Sequence, residues 1–362
     1  MTKSKIKILI IGPFPDPISG VSLANKVVKE VLDESLNFRT GIINTSLNKF
    51  DEKLGKLSLI KLFSLISFNL KLYKVFKHNI IYITPGQTFF GVLKYTLFIL
   101  LASILKKEII IHVHGNHLGT EYKSLKGIKK KTFYYLLSKA TKGIVLSESL
   151  KENMSPFIDE KDIYILYNFA QDYLVPNVKK EEGSDLKIIF LSNLMEDKGI
   201  VEFLEALKRL ESENIGYAAK IAGNIDEMNE IKLMKYFDDL KFTKYIGVVA
   251  GKEKKELLEW SNIFILPTYY KMEGQPISII EAMATSNVII TTKHAGIPDI
   301  IKEKVNGYFV EKKSTESIYN RFKYLIENRH EIEQIAKRNE LYFQKHFTIK
   351  HFKKHFINIL NS

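Results

Sequence analysis

Two hydrophobic rhythms alternate along this chain. Short apolar runs of strand length, rich in Ile and Val, fall at Lys5–Gly12, Thr40–Ser46, Ile80–Thr84, Glu108–His114, Thr141–Ser147 and Ile163–Phe169. Between them lie longer stretches with helical spacing. Leu23–Leu36 places apolar residues at 23, 27, 28, 31 and 32, and Leu57–Phe76, Phe90–Leu105 and Thr132–Ser138 read the same way. The rhythm resumes with strands at Leu186–Ser192, Lys220–Asn224, Lys244–Val248, Asn262–Pro267 and Val288–Thr292. Helices are predicted at Ile200–Leu210, from Ile277 and from Ile318. Strands alternating with helices imply open parallel sheets with helices on both faces.

A polar stretch, Lys179–Asp185, reads as a linker and splits the chain into domains 1–178 and 179–345. The length of 362 residues suffices for both. There is no cysteine, which excludes disulfides and thiolate metal sites and suits a reducing compartment. The first apolar run is too short and too strand-like for a signal peptide. Leu57–Leu72 and Val92–Leu105 are shorter than a membrane span and are interrupted by Lys61 and Lys94. The net charge of +13 is uneven: residues 1–178 hold 25 Lys and Arg against 14 Asp and Glu, residues 179–362 hold 29 against 27. A basic first half suits an anionic partner, whether nucleic acid, lipid or substrate. Lysines mixed with Leu, Ile, Phe and Tyr over 49–77 suit an anionic membrane surface, or a core-facing helix with its lysines outward.

The richest stretch for chemistry is Leu266–Ala284. An apolar strand ends at Pro267, a Gly/Pro-bearing turn follows, and Pro276 sits at the first turn of an almost wholly apolar helix. Such a helix start offers free N–H groups and positive potential to an anion. Glu273 in the turn and Glu281 inside the helix are acceptors suited to sugar or ribose hydroxyls, so the stretch suits a nucleotide sugar. On spacing alone, a solvated Glu273 and a Glu281 paired with a lysine remain open. Upstream, a strand, a loop ending in Gly20 and Val21, and a helix have the layout of a phosphate-binding unit. The G-x-G-x-x-G of dinucleotide enzymes is absent. His112, His114 and His117 cluster at a strand end without an acidic ligand, so a metal site is not favoured. Lys123, Lys126, Lys129, Lys130 and Lys131 form a run that suits acceptor phosphates or a solvated loop.

Taken in order, several of these features resemble one family. Glu273 and Glu281 are separated by seven residues, and Ala-Met-Ala follows the second. This resembles the signature of retaining GT-B glycosyltransferases of family 4, glycosyl transferases group 1. The likeness runs from Gly12 to about Gly307 and includes Leu194, Lys198 and Gly199, Val288–Thr292, Ala295–Ile301 and Asn306-Gly307. The chain departs from the family pattern twice. Gly20 follows Ser19 where a Gly-Gly pair is usual, and Ser192-Asn193 replaces Gly-Arg, which removes one expected cation.

The resemblance implies an α/β GT-B fold: two Rossmann-like domains with parallel sheets facing a cleft, the last helix (346–362) returning to the first domain. It implies sugar transfer with retention from a nucleotide diphosphate sugar, UDP-linked by expectation, without cofactor or metal. No Asp-x-Asp motif is present. Glu273, Lys198 and His114 are the implied catalytic residues, with His114 contacting the sugar from the first domain. Gly20, Val21, Asn193, Lys198, Gly247, Val248, Glu273, Gly274, Gln275, Pro276, Ile277 and Glu281 are the implied donor contacts. The acceptor expected is a lipid-diphosphate-linked glycan, met through the five-lysine run, at the cytoplasmic face of the plasma membrane. That places the protein in capsule, O-antigen (lipopolysaccharide) or exopolysaccharide assembly. Two other classes remain: a GT-B nucleotide-sugar epimerase, and a non-catalytic basic binder of membranes or nucleic acid. No nucleic-acid motif organises the basic residues, so nucleic acid is not an expected partner.

Overall fold

The computed structural model describes residues 5–17, 19–46, 67–175, 186–226 and 229–362. The expected linker 179–185 and most of the lysine-rich 49–77 stretch lie outside the described residues. The chain divides into two compact units, residues 1–167 with 355–362, and residues 168–354.

The first unit is built on a six-stranded parallel sheet in the order β2-β1-β3-β4-β5-β6. Its strands are β1 (Ile6–Gly12), β2 (Phe38–Asn44), β3 (Ile80–Ile83), β4 (Glu108–Val113), β5 (Lys142–Val145) and β6 (Ile163–Ile165). A parallel sheet covered on both faces needs unbroken apolar runs. Ile8, Leu9, Ile10 and Ile11 of β1 are accordingly fully buried, as are Ile81, Tyr82 and Ile83 of β3. Each such aliphatic side chain contributes about 1.5–3 kcal/mol. The closing helix Ile349–Asn361 begins among second-unit residues, and His355–Ser362 group with the first unit. There Phe356 is fully buried and meets Tyr82 edge-on, with ring centroids 5.7 Å apart.

The second unit carries a six-stranded parallel sheet in the order β12-β11-β10-β7-β8-β9. Its strands are β7 (Lys187–Leu191), β8 (Ala218–Ala222), β9 (Thr243–Gly247), β10 (Ile263–Leu266), β11 (Val288–Thr292) and β12 (Gly307–Val310). Asn287 and Asn339 cross-link its core: Asn339 Nδ2 donates to the carbonyls of Asn287 at 2.7 Å and Asn306 at 2.8 Å. Both asparagines are fully buried, and each bond satisfies a backbone oxygen that the apolar interior would otherwise strand.

Several boundaries move. The helix expected from Leu23 begins at Gly20, because Ser19 caps it in a reciprocal box with Ser22. The run Phe90–Leu105 is two helices, Phe89–Leu93 and Thr96–Ile104. The end of Leu57–Phe76 is a 3-10 helix at Leu70–Lys77. Lys129–Lys131 sit within a helix, Gly127–Leu137, rather than ahead of one. The division between the two compact units falls at Tyr167/Asn168. Two contacts within the second unit explain it. Asn168 donates from its backbone N–H and from Nδ2 to Gln275, both at 2.7 Å, and Phe169 packs on Phe352 with centroids 4.6 Å apart.

Candidate functional site

In the second unit, the predicted residues collect at the carboxyl ends of β7, β10 and β11, where an open α/β sheet holds its ligands. After β7 the chain makes a 3-10 turn, Glu196–Lys198, which Gly199 ends at φ +79°. A Cβ on Gly199 would lie 2.5 Å from the Pro267 carbonyl oxygen, so only glycine lets this turn press against the end of β10. The Tyr269 N–H donates to the Asp197 carbonyl at 2.8 Å and fixes the two loops together. Their docking aims Lys198 at Glu273: Nζ donates to Oε2 at 2.6 Å, with the two side chains 13% and 10% exposed. Thr268 Oγ1 donates to the same oxygen at 3.1 Å, and Lys198 lies 4.8 Å from the centre of the Tyr270 ring.

The helix Ile277–Ala284 starts just beyond, with Pro276 at its N-cap and no side chain capping it. The Ile279 N–H turns back to the Pro276 carbonyl at 3.2 Å, and the helix start follows Glu273 within the same loop. Glu281 is 5% exposed and accepts a short hydrogen bond from Lys254 of the helix Gly251–Trp260. Burial pushes its carboxyl above the usual range, and Lys254 opposes that shift. A lysine partner for Glu281 was one of the open readings, and the structure adopts it. Gln275 is tied by its side-chain oxygen to the Asn168 backbone, so that oxygen is committed within the protein. Gly274 accepts from the Gly296 N–H at 2.9 Å, which joins the loops after β10 and β11.

Asn193, Gly247 and Val248 stand at the ends of β7 and β9. They are linked through Gly223, which is packed so closely that a Cβ there would lie 1.7 Å from the Ser192 carbonyl oxygen. The Gly223 N–H donates to the Gly247 carbonyl at 2.9 Å, and Val248 is 69% exposed beside it.

In the first unit, Gly20 and Val21 are the first two residues of a capped helix, and Ser19 takes the N–H of Ser22. His114 follows β4. Its Nε2 is buried without a partner, and its ring lies 3.9 Å from that of His112. Burial holds the His114 imidazole down to about 3, so it is neutral at physiological pH. His112 is fully buried, depressed in the same way, and 2.5 Å from the Tyr82 hydroxyl through Nδ1. His117 is 3.5 Å from Glu121. Lys123, Lys126, Lys129 and Lys131 are exposed and Lys130 is half-buried. Lys130 lies 4.8 Å from the centre of the Tyr122 ring.

The structure adds three residues that sequence reasoning passed over. His294, after β11, donates through Nε2 to the Tyr270 carbonyl at 2.8 Å, and its Nδ1 lies 3.0 Å from Lys312 Nζ. A carbonyl only accepts and an ammonium only donates, so the neutral tautomer with hydrogen on Nε2 satisfies both contacts. The position of both residues at strand carboxyl ends is the signal that could have found them. Lys94, seen in the sequence only as an interruption, is half-buried against Phe68 and Tyr95 and donates to the Thr45 carbonyl at 3.2 Å. Burial lowers its ammonium to about 8.

Residues 175–341, which carry Lys198, Glu273 and Glu281, match the family described as glycosyl transferases group 1. The likeness to that family is thus carried by just under half of the chain. Individual proteins are similar to this chain as well. A putative colanic acid biosynthesis glycosyltransferase, WcaL of Escherichia coli K12, is 25% identical over 151 residues, 40% of this chain and 37% of that protein's length. The match thus spans little more than a third of that relative. An Escherichia coli UDP-Gal:alpha-D-GlcNAc-diphosphoundecaprenol alpha-1,3-galactosyltransferase is 26% identical over 283 residues, 73% of this chain and 70% of its own. The crystal structure of Anabaena Alr3699/HepE in complex with UDP superposes with a TM-score of 0.75 at 14% identity, covering 98% of this chain and 100% of that one. At that identity the likeness establishes the fold, which is GT-B with two Rossmann-like halves. Among the described residues no helix is long and apolar enough to cross a membrane.

Proposed function

We propose that the protein is a retaining glycosyltransferase that moves a sugar from a UDP-sugar to a lipid-diphosphate-linked glycan during assembly of a surface polysaccharide. The observation that carries this reading is the Lys198–Glu273–Thr268 cluster beside the uncapped start of the helix Ile277–Ala284, inside the segment that matches the group 1 family. In sugar transfer the acceptor hydroxyl bonds to the anomeric carbon as the bond to the diphosphate breaks, and negative charge grows on the diphosphate. Lys198 and the helix start are the groups able to stabilise that charge. Glu273 would accept from the sugar hydroxyls, and Glu281, braced by Lys254, from the ribose. His114, neutral and with a free Nε2, is the proposed sugar contact contributed by the first unit. Asn193 would donate a hydrogen bond without neutralising charge, which leaves Lys198 as the principal cation of the β7 loop. We extend the reading to no metal requirement, because lysine and helix dipole supply the charge a metal would.

The relatives named above support a nucleotide sugar as donor and a diphospholipid as acceptor carrier. The cytoplasmic face of the plasma membrane would be the place where such an acceptor is met. Titration calorimetry with UDP, GDP and their common sugar conjugates tests the donor assignment. UDP and one UDP-sugar should bind, with and without added chelator, and binding should weaken in Lys198→Met. If no nucleotide binds, the assignment fails.

A further inference from the structure

The basic charge of the first unit is concentrated in a second place, away from the strand carboxyl ends. Lys7 and Arg39 are cross-strand partners near the amino ends of β1 and β2. Partners in parallel register project to the same face, and like charges placed side by side are destabilising. With Gly41, Lys74, Lys77 and His78 they line a groove of about 380 Å³ at the edge strand β2. Its size lies within the roughly 300–1,000 Å³ range of small-molecule sites. The groove is separate from the carboxyl-end crevice. Lys7 and Gly12 lie at opposite ends of β1, five residues or ~16 Å apart at ~3.3 Å per residue.

The groove is built for its charge. Gly41 forms the floor: a Cβ there would lie 2.3 Å from His78 Nε2, so glycine is what lets the imidazole sit on the strand. His78 Nδ1 is 2.7 Å from the Lys74 carbonyl, which fixes hydrogen on Nδ1 and leaves Nε2 as the free lone pair. Lys74 Nζ donates to the Ile42 carbonyl at 3.0 Å and is thereby held over the strand. None of Lys7, Arg39, Lys74 and Lys77 is ion-paired to a carboxylate among the described residues. The nearest acid by connection is Asp33, which accepts from Thr40 at the rim and is already paired with Lys29. Burial lowers the His78 imidazole, and Lys7, Lys74 and Lys107 lower it further. Four cations and a neutral histidine thus stand together without a paired carboxylate among the described residues.

We propose that this groove is a phosphate-binding site, distinct from the proposed donor site and independent of it. Arg39 supplies the planar fork that suits two phosphate oxygens, Lys7, Lys74 and Lys77 supply point charges, and His78 protonates at Nε2 to donate a further bond. The phosphate can belong to a soluble ester or to a lipid headgroup. Leu70, Tyr73 and Phe76 on the adjoining 3-10 helix are 74%, 54% and 60% exposed, which is why one arm of the test presents phosphate at a bilayer.

The test is binding of glycerol 1-phosphate by calorimetry, and of phosphatidylglycerol against phosphatidylcholine vesicles by sedimentation, at low ionic strength with the full chain. Arg39→Glu and Lys77→Glu are compared with Lys161→Glu, an exposed lysine on the same unit. Losing one charge-assisted contact predicts about tenfold to a hundredfold weaker binding in the two groove variants. Lys161→Glu should bind as the wild type does, and phosphate should move the His78 titration upward in NMR. Soluble ester bound through the groove identifies a free phosphate. Phosphatidylglycerol bound through the groove without the ester identifies a headgroup. Failure of both ligands to bind, or equal loss in Lys161→Glu, overturns the proposal. Because no nucleotide enters the assay, its result is separable from that of the donor test.

Discussion

Lys198 and Glu273 offer a prediction in which two variants of one ion pair have opposite effects on one ligand. The pair is 2.6 Å apart and about a tenth exposed, and the proposed function assigns Lys198 to the diphosphate and Glu273 to the sugar. Lys198→Met removes the cation. A charge-assisted hydrogen bond to phosphate contributes ~1.5–3 kcal/mol, so UDP should bind about tenfold to a hundredfold more weakly. Glu273→Gln removes a carboxylate that competes for Lys198 and repels the diphosphate. UDP should then bind at least as tightly as in the wild type, while a UDP-sugar loses the tightening that its hydroxyls gain from Glu273. Stability should separate the variants too. Lys198→Met strands a buried carboxylate, at a cost of about 3–5 kcal/mol, and the double variant Lys198→Met/Glu273→Gln should recover most of it. The assay is calorimetry with UDP and with the UDP-sugar on all four proteins, alongside urea melts. If Lys198→Met binds UDP within about threefold of wild type, or if Glu273→Gln weakens UDP as much as UDP-sugar, the assignment of roles is wrong.

Three further outcomes concern the scaffold. Lys94 titrates near 8 in the folded chain against 10.5 for the free side chain, so between those values the unfolded chain binds more protons and stability rises with pH. Lys94→Met should abolish that rise and stabilise the protein at pH 7 by roughly 1–3 kcal/mol, read from urea melts across the pH range. Gly199→Ala combines ~1–2 kcal/mol of left-handed strain with a clash on the Pro267 carbonyl. It should lower the melting temperature and also weaken UDP, because the same turn aims Lys198. Asn339→Leu strands the carbonyls of Asn287 and Asn306 at about 1–3 kcal/mol each, and should lower the urea midpoint while leaving nucleotide affinity unchanged once folded.

Much of the strand framework was legible because a parallel sheet writes itself as unbroken apolar runs, and Ile8–Ile11 or Val288–Thr292 have no other plausible place. The helix starts were less legible. Ser19 and Ser22 decide that the first helix begins at Gly20, and a two-serine capping box carries no apolar signal. β12 was seen only as an Asn-Gly turn, because four residues, Gly307–Val310, are too few for a period to show. The alternation over Phe90–Leu105 did not announce its break near Lys94, since both pieces are apolar and the interruption is set by that side chain turning onto Phe68 and Thr45.

The sequence by itself determined the architecture and the chemical inventory: two parallel α/β sheets, two glutamates eight residues apart, one lysine before a glycine, and a basic first half. Those depend on local composition and spacing, which the chain carries from one residue to the next. Only the tertiary structure decided the pairings. Lys198 and Glu273 are 75 residues apart, and Lys254 and Glu281 are 27 apart. The first pairing depends on how the loops after β7 and β10 close on Gly199, and the second on how the helices Gly251–Trp260 and Ile277–Ala284 meet. The same holds for the groove at β2. Lys7, Arg39 and His78 are scattered in the chain, and become one site because parallel register places Lys7 beside Arg39 and a missing Cβ at Gly41 admits the ring of His78.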